Sequence, residues 1–181
     1  MKFYSQTGEE IHQAALQDKS MWCLAGERQE QAFVRRYGAK LGLVMNPEKA
    51  SNKYAPDLLH RCGRLADLKT RNTPFFLAQH MYKHDPQHAI TINCKDINHY
   101  AEKYPDILIY FGVEWLVTRA DLGSGSISVE PMLGVWGVRF TSLFDMCELS
   151  PIHTYGQRKN DTAGNGKDSY VISLNSFKRL V

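Results

Sequence analysis

The sequence lacks any apolar run long enough to cross a membrane. Its longest apolar stretch runs from Ile107 to Val117 and is interrupted by Glu114, whereas a spanning helix needs about 20 consecutive apolar residues. The first ten residues, MKFYSQTGEE, also lack the apolar segment of a secretory signal peptide. These two absences predict a soluble protein without a membrane partner, which we expect in the cytoplasm.

Paired cysteines and compositional bias are also missing. Cys23, Cys62, Cys94 and Cys147 form no Cys-x-x-Cys pair, a spacing typical of reduced thiols in a cytosol rather than of a disulfide framework or a zinc knuckle. The 181 residues contain no internal repeat, and 22 Lys and Arg against 19 Asp and Glu give a net charge of only +3. A hydrophobic content of 43% excludes intrinsic disorder, and this length suits one domain.

Hydrophobic periodicity and turn residues predict an α/β domain with a mixed β-sheet flanked by helices. We expect one domain over 1–181, made of an N-terminal helical extension (1–25), a core (26–118), and C-terminal strands with a basic loop (119–181). The predicted helices are 8–22, 27–44, 73–83 and 96–104, and the predicted strands are 54–60, 64–70, 88–94, 106–117, 127–138 and 170–174.

The two strands of the predicted hairpin carry acidic residues at corresponding places. Asp57 follows Pro56 on the first strand, and Asp67-Leu68-Lys69 lies on the second. Alternation at period 2 places Asp67 and Lys69 on one face of their strand. If the connection is a three-residue loop with Gly63 left-handed, Asp57 lies directly opposite Asp67. Neighbouring carboxylates repel unless a cation lies between them, and oxygen ligands suit Mg²⁺ or Mn²⁺.

The second predicted helix supplies another candidate carboxylate. Glu30 shares the helical face of Phe33, Tyr37 and Leu41, whereas Glu27 lies off that face. A charge on an apolar face is costly unless it is paired or bound to a metal. We therefore expect Glu30 to point toward the sheet and the hairpin.

Pro56-Asp57 followed by Asp67-Leu68-Lys69 resembles the motif of the PD-(D/E)xK, or restriction-endonuclease-like, nuclease superfamily. The segment Gly26-Glu-Arg-Gln-Glu30 is similar to the Gly-x-x-x-Glu opening of archaeal Holliday-junction resolvases, and the resemblance covers roughly residues 26–94. It implies a restriction-endonuclease-like core and a metal-dependent endonuclease, a hydrolase of DNA phosphodiester bonds. By the same analogy, the partners are duplex or branched DNA and a second copy in a homodimer.

The resemblance also implies roles for individual residues. Asp57, Asp67, the Leu68 carbonyl and Glu30 would hold Mg²⁺ or Mn²⁺ and activate a water molecule. Lys69 would orient that water or stabilise charge on the phosphate. Five residues are expected to bind nucleic acid: Arg71, Gln79, Arg158, Lys159 and Lys167.

Two alternatives remain open. One is a non-catalytic module on the same scaffold that binds nucleic acid or protein without cleaving, although such a module has no chemical need for Asp57, Asp67 and Lys69 together. The other is a structural hairpin in which Lys69 is only the salt-bridge partner of the two carboxylates.

Overall fold

The computed structural model describes residues 1–12, 29–52, 54–123, 125–155 and 168–181. Its helices are α1 (Gln29–Leu41), α2 (Ala78–Tyr82), α3 (Cys94–Lys103) and α4 (Phe140–Glu148), with 3₁₀ turns at Pro47–Ala50 and Leu174–Ser176. Its strands are β1 (Lys2–Ser5), β2 (Glu10–Ile11), β3 (Leu43–Met45), β4 (Leu58–His60), β5 (Leu65–Arg71), β6 (Ala89–Asn93), β7 (Leu108–Glu114), β8 (Val117–Asp121), β9 (Ser126–Ser128), β10 (Leu133–Arg139), β11 (Ile152–His153), β12 (Ser169–Ser173) and β13 (Lys178–Arg179).

Among the described residues, the main sheet has six strands in the order β13-β10-β7-β5-β4-β3. β5 and β7 are parallel, and the other neighbours are antiparallel. Smaller antiparallel sheets, β2-β1-β8-β9 and β11-β12-β6, complete the described strands. The predicted α/β class with a mixed sheet is therefore confirmed. Because β10 and β13 belong to the main sheet, that sheet extends beyond the predicted core boundary at 118.

Both faces of the main sheet are covered. On one face, α1 packs Phe33 against Leu68 of β5 and Tyr110 of β7. On the other face, Ile109 of β7 packs with Tyr100 of α3 and Phe140 of α4. A central strand that is covered on both sides needs apolar residues on both faces, which explains the unbroken apolar sequence of β7.

The hairpin has the predicted register. Leu58 pairs with Ala66, the His60 amide donates to the Arg64 carbonyl at 2.9 Å, and Gly63 has a φ of +84°. One further step in this register places Asp57 opposite Asp67. The three-residue turn and the position of the carboxylate pair are therefore confirmed.

The predicted N-terminal helix is wrong over its first residues. Gly8, with a φ of +83°, turns the chain, and Phe3 of β1 then pairs with Ile11 of β2. Phe3 and Ile11 both pack in a small apolar cluster, and this burial outweighs the weak helical pattern. The remainder of that prediction, 13–22, lies outside the described residues.

Other boundaries also differ from the predictions. The strand predicted over 106–117 is two strands, because the Leu116 amide turns to donate to the Asn72 carbonyl at 3.0 Å and β8 then pairs with β1. Gly42, at a φ of +68°, ends α1 before β3, within the helix predicted over 27–44. The predicted helix 73–83 shrinks to α2, and α4 was not predicted.

None of the described helices is long and apolar enough to cross a membrane. The described cysteines, Cys62, Cys94 and Cys147, are free thiols.

Candidate active site

A cleft of about 310 Å³ opens where the hairpin faces α3. Its floor carries the two acidic residues of the hairpin, and its walls come from the segment before β4 and from α3. The lining residues are Lys49, Tyr54, Ala55, Pro56, Asp57, Asp67, Lys69, Lys95, Asp96, His99, Tyr100 and Tyr104. The fold therefore brings together three of the predicted site residues, Asp57, Asp67 and Lys69.

Asp57 is 7% exposed and is held through both carboxylate oxygens. Its Oδ2 accepts a hydrogen bond from the Leu68 amide at 3.2 Å. Its Oδ1 forms an ion pair with the Nζ of Lys49. These two contacts hold the Asp57 side chain beside β5, just beyond the last paired residues of β4 and β5.

Asp67 is 8% exposed and faces α3. Its Oδ2 accepts a hydrogen bond from the Tyr100 hydroxyl at 2.6 Å and lies 2.9 Å from the Nζ of Lys69. That Nζ also lies 2.9 Å from Oδ2 of Asp96. Lys69 therefore bridges the hairpin and α3, and Tyr100 orients Asp67.

Burial and mutual charge shift the pKa values of these groups. Burial and the neighbouring charge of Asp67 raise the pKa of Asp57, and the contacts with Lys49 and the Leu68 amide offset this only in part. Burial opposes protonation of Lys69, but Asp67 and Asp96 prevail and raise its pKa, so the side chain remains cationic. Burial and the charge of Asp67 raise the pKa of Tyr100, which stays a neutral donor.

The donor atoms of the cleft fit a hard divalent cation. Asp57 and Asp67 offer carboxylate oxygens, and the N–H and C=O of one strand residue point to the same edge. Because the Leu68 amide points to Asp57, the Leu68 carbonyl points to the same side. It lies beyond the pair of Leu58 with Ala66, the last one between β4 and β5. One or two carboxylates completed by water are typical of Mg²⁺. Among the described residues, no group of three His, Cys, Asp or Glu side chains converges, so the remaining ligands would be the carbonyl and water.

Glu30 is not brought to this pair. The first residue of α1, Gln29, accepts a hydrogen bond from the Thr70 hydroxyl at 2.7 Å, on the face of β5 that also carries Leu68. Asp67 lies on the opposite face, toward α3. The predicted orientation of the helix toward the sheet is confirmed by the burial of Phe33, but Glu30 is not among the described residues that line the cleft.

The predicted nucleic-acid contacts also lie elsewhere. The Arg71 guanidinium donates to the carbonyls of Thr91 and Thr70, each at 2.7 Å, so it ties β5 to β6 instead of facing the cleft. Gln79 is exposed on α2 and is also outside the cleft lining. Three more of these residues lie outside the described part of the chain: Arg158, Lys159 and Lys167.

Sequence reasoning missed several residues of the cleft. Asp96 and Tyr100 are four residues apart and therefore share one face of α3, a signal that the sequence does contain. Lys49 has no such signal, because it lies in the connection between β3 and β4, whose path depends on the fold. Lys95 and His99 complete the polar wall on α3.

Comparison with protein-family models gave no match, and no curated protein matches at a significant level.

The position of Glu30 leads to a direct test. We expect Glu30→Gln to change the affinity for Mn²⁺ by no more than about twofold, because its carboxylate lies outside the cleft. Asp57→Asn removes one of the two carboxylates that would hold the ion and should weaken binding at least tenfold. Titration of each full-length variant with Mn²⁺, following free Mn²⁺ by electron paramagnetic resonance, measures both. A loss with Glu30→Gln that equals the loss with Asp57→Asn would show that α1 reaches the metal.

Proposed function

We propose that the protein is a Mg²⁺- or Mn²⁺-dependent endonuclease that hydrolyses DNA phosphodiester bonds on a restriction-endonuclease-like core. One observation carries this proposal: two buried carboxylates, Asp57 just before β4 and Asp67 on β5, meet in a cleft beside the half-buried Lys69. Maintaining two like charges at such a site costs stability. A catalytic requirement explains that cost better than a purely structural role.

The order of the elements supports the proposed core. Helix α1 precedes the hairpin, Asp57 immediately before β4 faces Asp67 of β5, and β5 pairs in parallel with β7. This is the arrangement that the resemblance of the hairpin motif implies. The two carboxylates of the hairpin face the cleft of about 310 Å³.

Each residue of the cleft can have a separate role in hydrolysis. A bound divalent ion lowers the pKa of a coordinated water and polarises the phosphate. Asp57, Asp67 and the Leu68 carbonyl would hold that ion. Lys69, kept cationic by Asp67 and Asp96, would orient the water or stabilise the negative charge that develops on the phosphate oxygens. Tyr100 fixes the rotamer of Asp67 through its hydroxyl.

A non-catalytic binding module is the second candidate. It is favoured by the ion pairs of Lys49 with Asp57 and of Lys69 with Asp67, which already compensate both acidic charges. Such a module would bind DNA in the presence of EDTA and leave it intact with or without metal.

Supercoiled plasmid DNA distinguishes the candidates, since a closed circle has no ends for an exonuclease. We expect Mg²⁺ or Mn²⁺ to support conversion of the supercoiled form to nicked and linear forms, EDTA to abolish it, and excess Mg²⁺ to restore it. Asp67→Asn protein, purified in parallel, controls for contaminating nucleases. Cleavage that persists undiminished in EDTA would refute the proposed mechanism, and an intact plasmid under all conditions would favour the binding module.

A further inference from the structure

Resting on the proposed function, we infer that Lys49 is a positioning residue of the same site. It holds Asp57 in place when the cleft contains no metal, and its ammonium group competes with a divalent cation for Oδ1 of Asp57. The affinity for metal would therefore be set by Lys49 as well as by the ligands.

The local fold builds the position of Lys49. The residue lies in the 3₁₀ turn Pro47–Ala50, whose first residues are capped by Asn46 through a hydrogen bond from the Glu48 amide at 3.2 Å. Asn46 is 6% exposed, and its Nδ2 donates to the Pro56 carbonyl at 2.9 Å. The backbone amide of Asn46 donates to the Asp57 carbonyl at 3.0 Å. The turn that carries Lys49 is thus bonded directly to the residues around Asp57.

The side chain of Lys49 is itself held at the cleft. Its Nζ donates to the Ala55 carbonyl at 3.1 Å and pairs with Oδ1 of Asp57, and the side chain is 20% exposed. A surface lysine in free rotation has neither the carbonyl anchor nor this burial. The contact is therefore part of the site.

Competition follows from the oxygens that Asp57 has available. Oδ2 already accepts the Leu68 amide, a backbone bond that fixes the carboxylate, so a cation that binds Asp57 through Oδ1 meets the ammonium group of Lys49 there. Without any cation, Asp57 would lie buried beside Asp67 with no compensating charge, a costly arrangement. With a divalent ion on Oδ1, Lys49 has to give up the pair and keeps the Ala55 carbonyl at the rim of the cleft.

Lys69 differs from Lys49 in this respect. Lys69 retains Asp96 if Asp67 turns to a metal. In the part of the chain that the structure describes, Asp57 is the one carboxylate paired with Lys49. Metal binding should therefore displace Lys49 and leave Lys69 anchored.

Mn²⁺ binding by the full chain tests this inference without reference to activity. The variants are Lys49→Met, Lys49→Arg and a matched control, Lys95→Met, which removes one positive charge from the same cleft. We expect Lys49→Met to tighten Mn²⁺ binding roughly tenfold, the consequence of removing a competing interaction of about 1.4 kcal/mol. Lys95→Met should tighten it by about twofold or less, and Lys49→Arg, which keeps the ion pair, should stay near wild type.

The outcomes separate this inference from the proposed function. Equal Mn²⁺ affinities for Lys49→Met and Lys95→Met, with binding still dependent on Asp57, would overturn the role of Lys49 and leave the metal site standing. Weaker binding to Lys49→Met would likewise overturn it. An absence of Mn²⁺ binding in every variant would overturn both. Binding to Lys49→Met at concentrations where the wild type binds none would be the strongest support.

Discussion

Asp67→Asn and Lys69→Ala should each slow plasmid cleavage by about a hundredfold or more at saturating Mg²⁺. In the proposed mechanism, Asp67 would contribute a metal ligand and Lys69 a positive charge next to the reacting phosphate, so each substitution would remove a group that stabilises the transition state. The measurement is the initial rate of nicking by full-length protein. Lys103→Ala, at the exposed end of α3, loses the same kind of charge outside the cleft and should cleave at the wild-type rate.

Thermal unfolding of the same variants separates catalysis from structure. If the salt bridges of the hairpin have only a structural role, Lys69→Ala leaves Asp67 and Asp96 without a compensating positive charge. The cooperative unfolding transition should then be lost, or its melting temperature should fall strongly. If the cleft is catalytic, both variants keep a cooperative transition while the rate falls. Wild-type cleavage rates in both variants would remove Asp67 and Lys69 from the mechanism.

The part of the site that depends on local geometry was predictable from the sequence. A strand alternates with period 2 and a three-residue turn sets the register, so the positions of Asp57, Asp67 and Lys69 follow from residues 57–69 alone. The structure confirms the turn at Gly63 and the register of the hairpin. The mixed α/β class was predictable for the same reason, because most of its elements have strong local patterns.

Partners from distant segments could not be predicted in this way. Tyr100 is 33 residues from Asp67 and reaches it only because the crossover from β5 to β7 places α3 on that face of the sheet. The phase of α1 indicates which side of the helix is buried, but it does not specify which face of the sheet the helix covers. The phase therefore leads to the prediction that Glu30 joins the hairpin carboxylates, whereas the structure has α1 on the opposite face of the sheet.

The second large effect that we expect is a gain of stability. Asp57→Asn should raise the melting temperature of the metal-free protein at neutral pH while abolishing cleavage. Burial and the charge of Asp67 disfavour ionised Asp57 more than Lys49 and the Leu68 amide favour it. The asparagine side chain is neutral and its one carbonyl oxygen can still accept the Leu68 amide, while Lys49 loses its carboxylate partner but keeps the Ala55 carbonyl, so we expect a net gain. For a chain of this length, each 1 kcal/mol gained would appear as about 2–4 °C. Asp106→Asn, at an exposed position outside the cleft, is the matched control and should leave the melting temperature nearly unchanged.

The dependence of this gain on pH identifies its cause. Since the pKa of Asp57 is higher in the folded than in the unfolded chain, the folded state binds the proton more tightly, and ionisation destabilises it as the pH rises from the unfolded to the folded pKa. Below the ordinary aspartate pKa the side chain is neutral in both states, so the difference between Asp57→Asn and wild type should vanish on acidification and be largest near pH 7. If Asp57 holds the ion as proposed, addition of Mg²⁺ should reverse the order, because the wild type would gain binding free energy in the folded state and the variant would lack one of the two carboxylates. If Asp57→Asn is instead less stable than the wild type at pH 7 without metal, the ion pair of Asp57 with Lys49 is a net stabilising contact. Repulsion between Asp57 and Asp67 then does not destabilise the metal-free protein, and a metal would have no such repulsion to reduce.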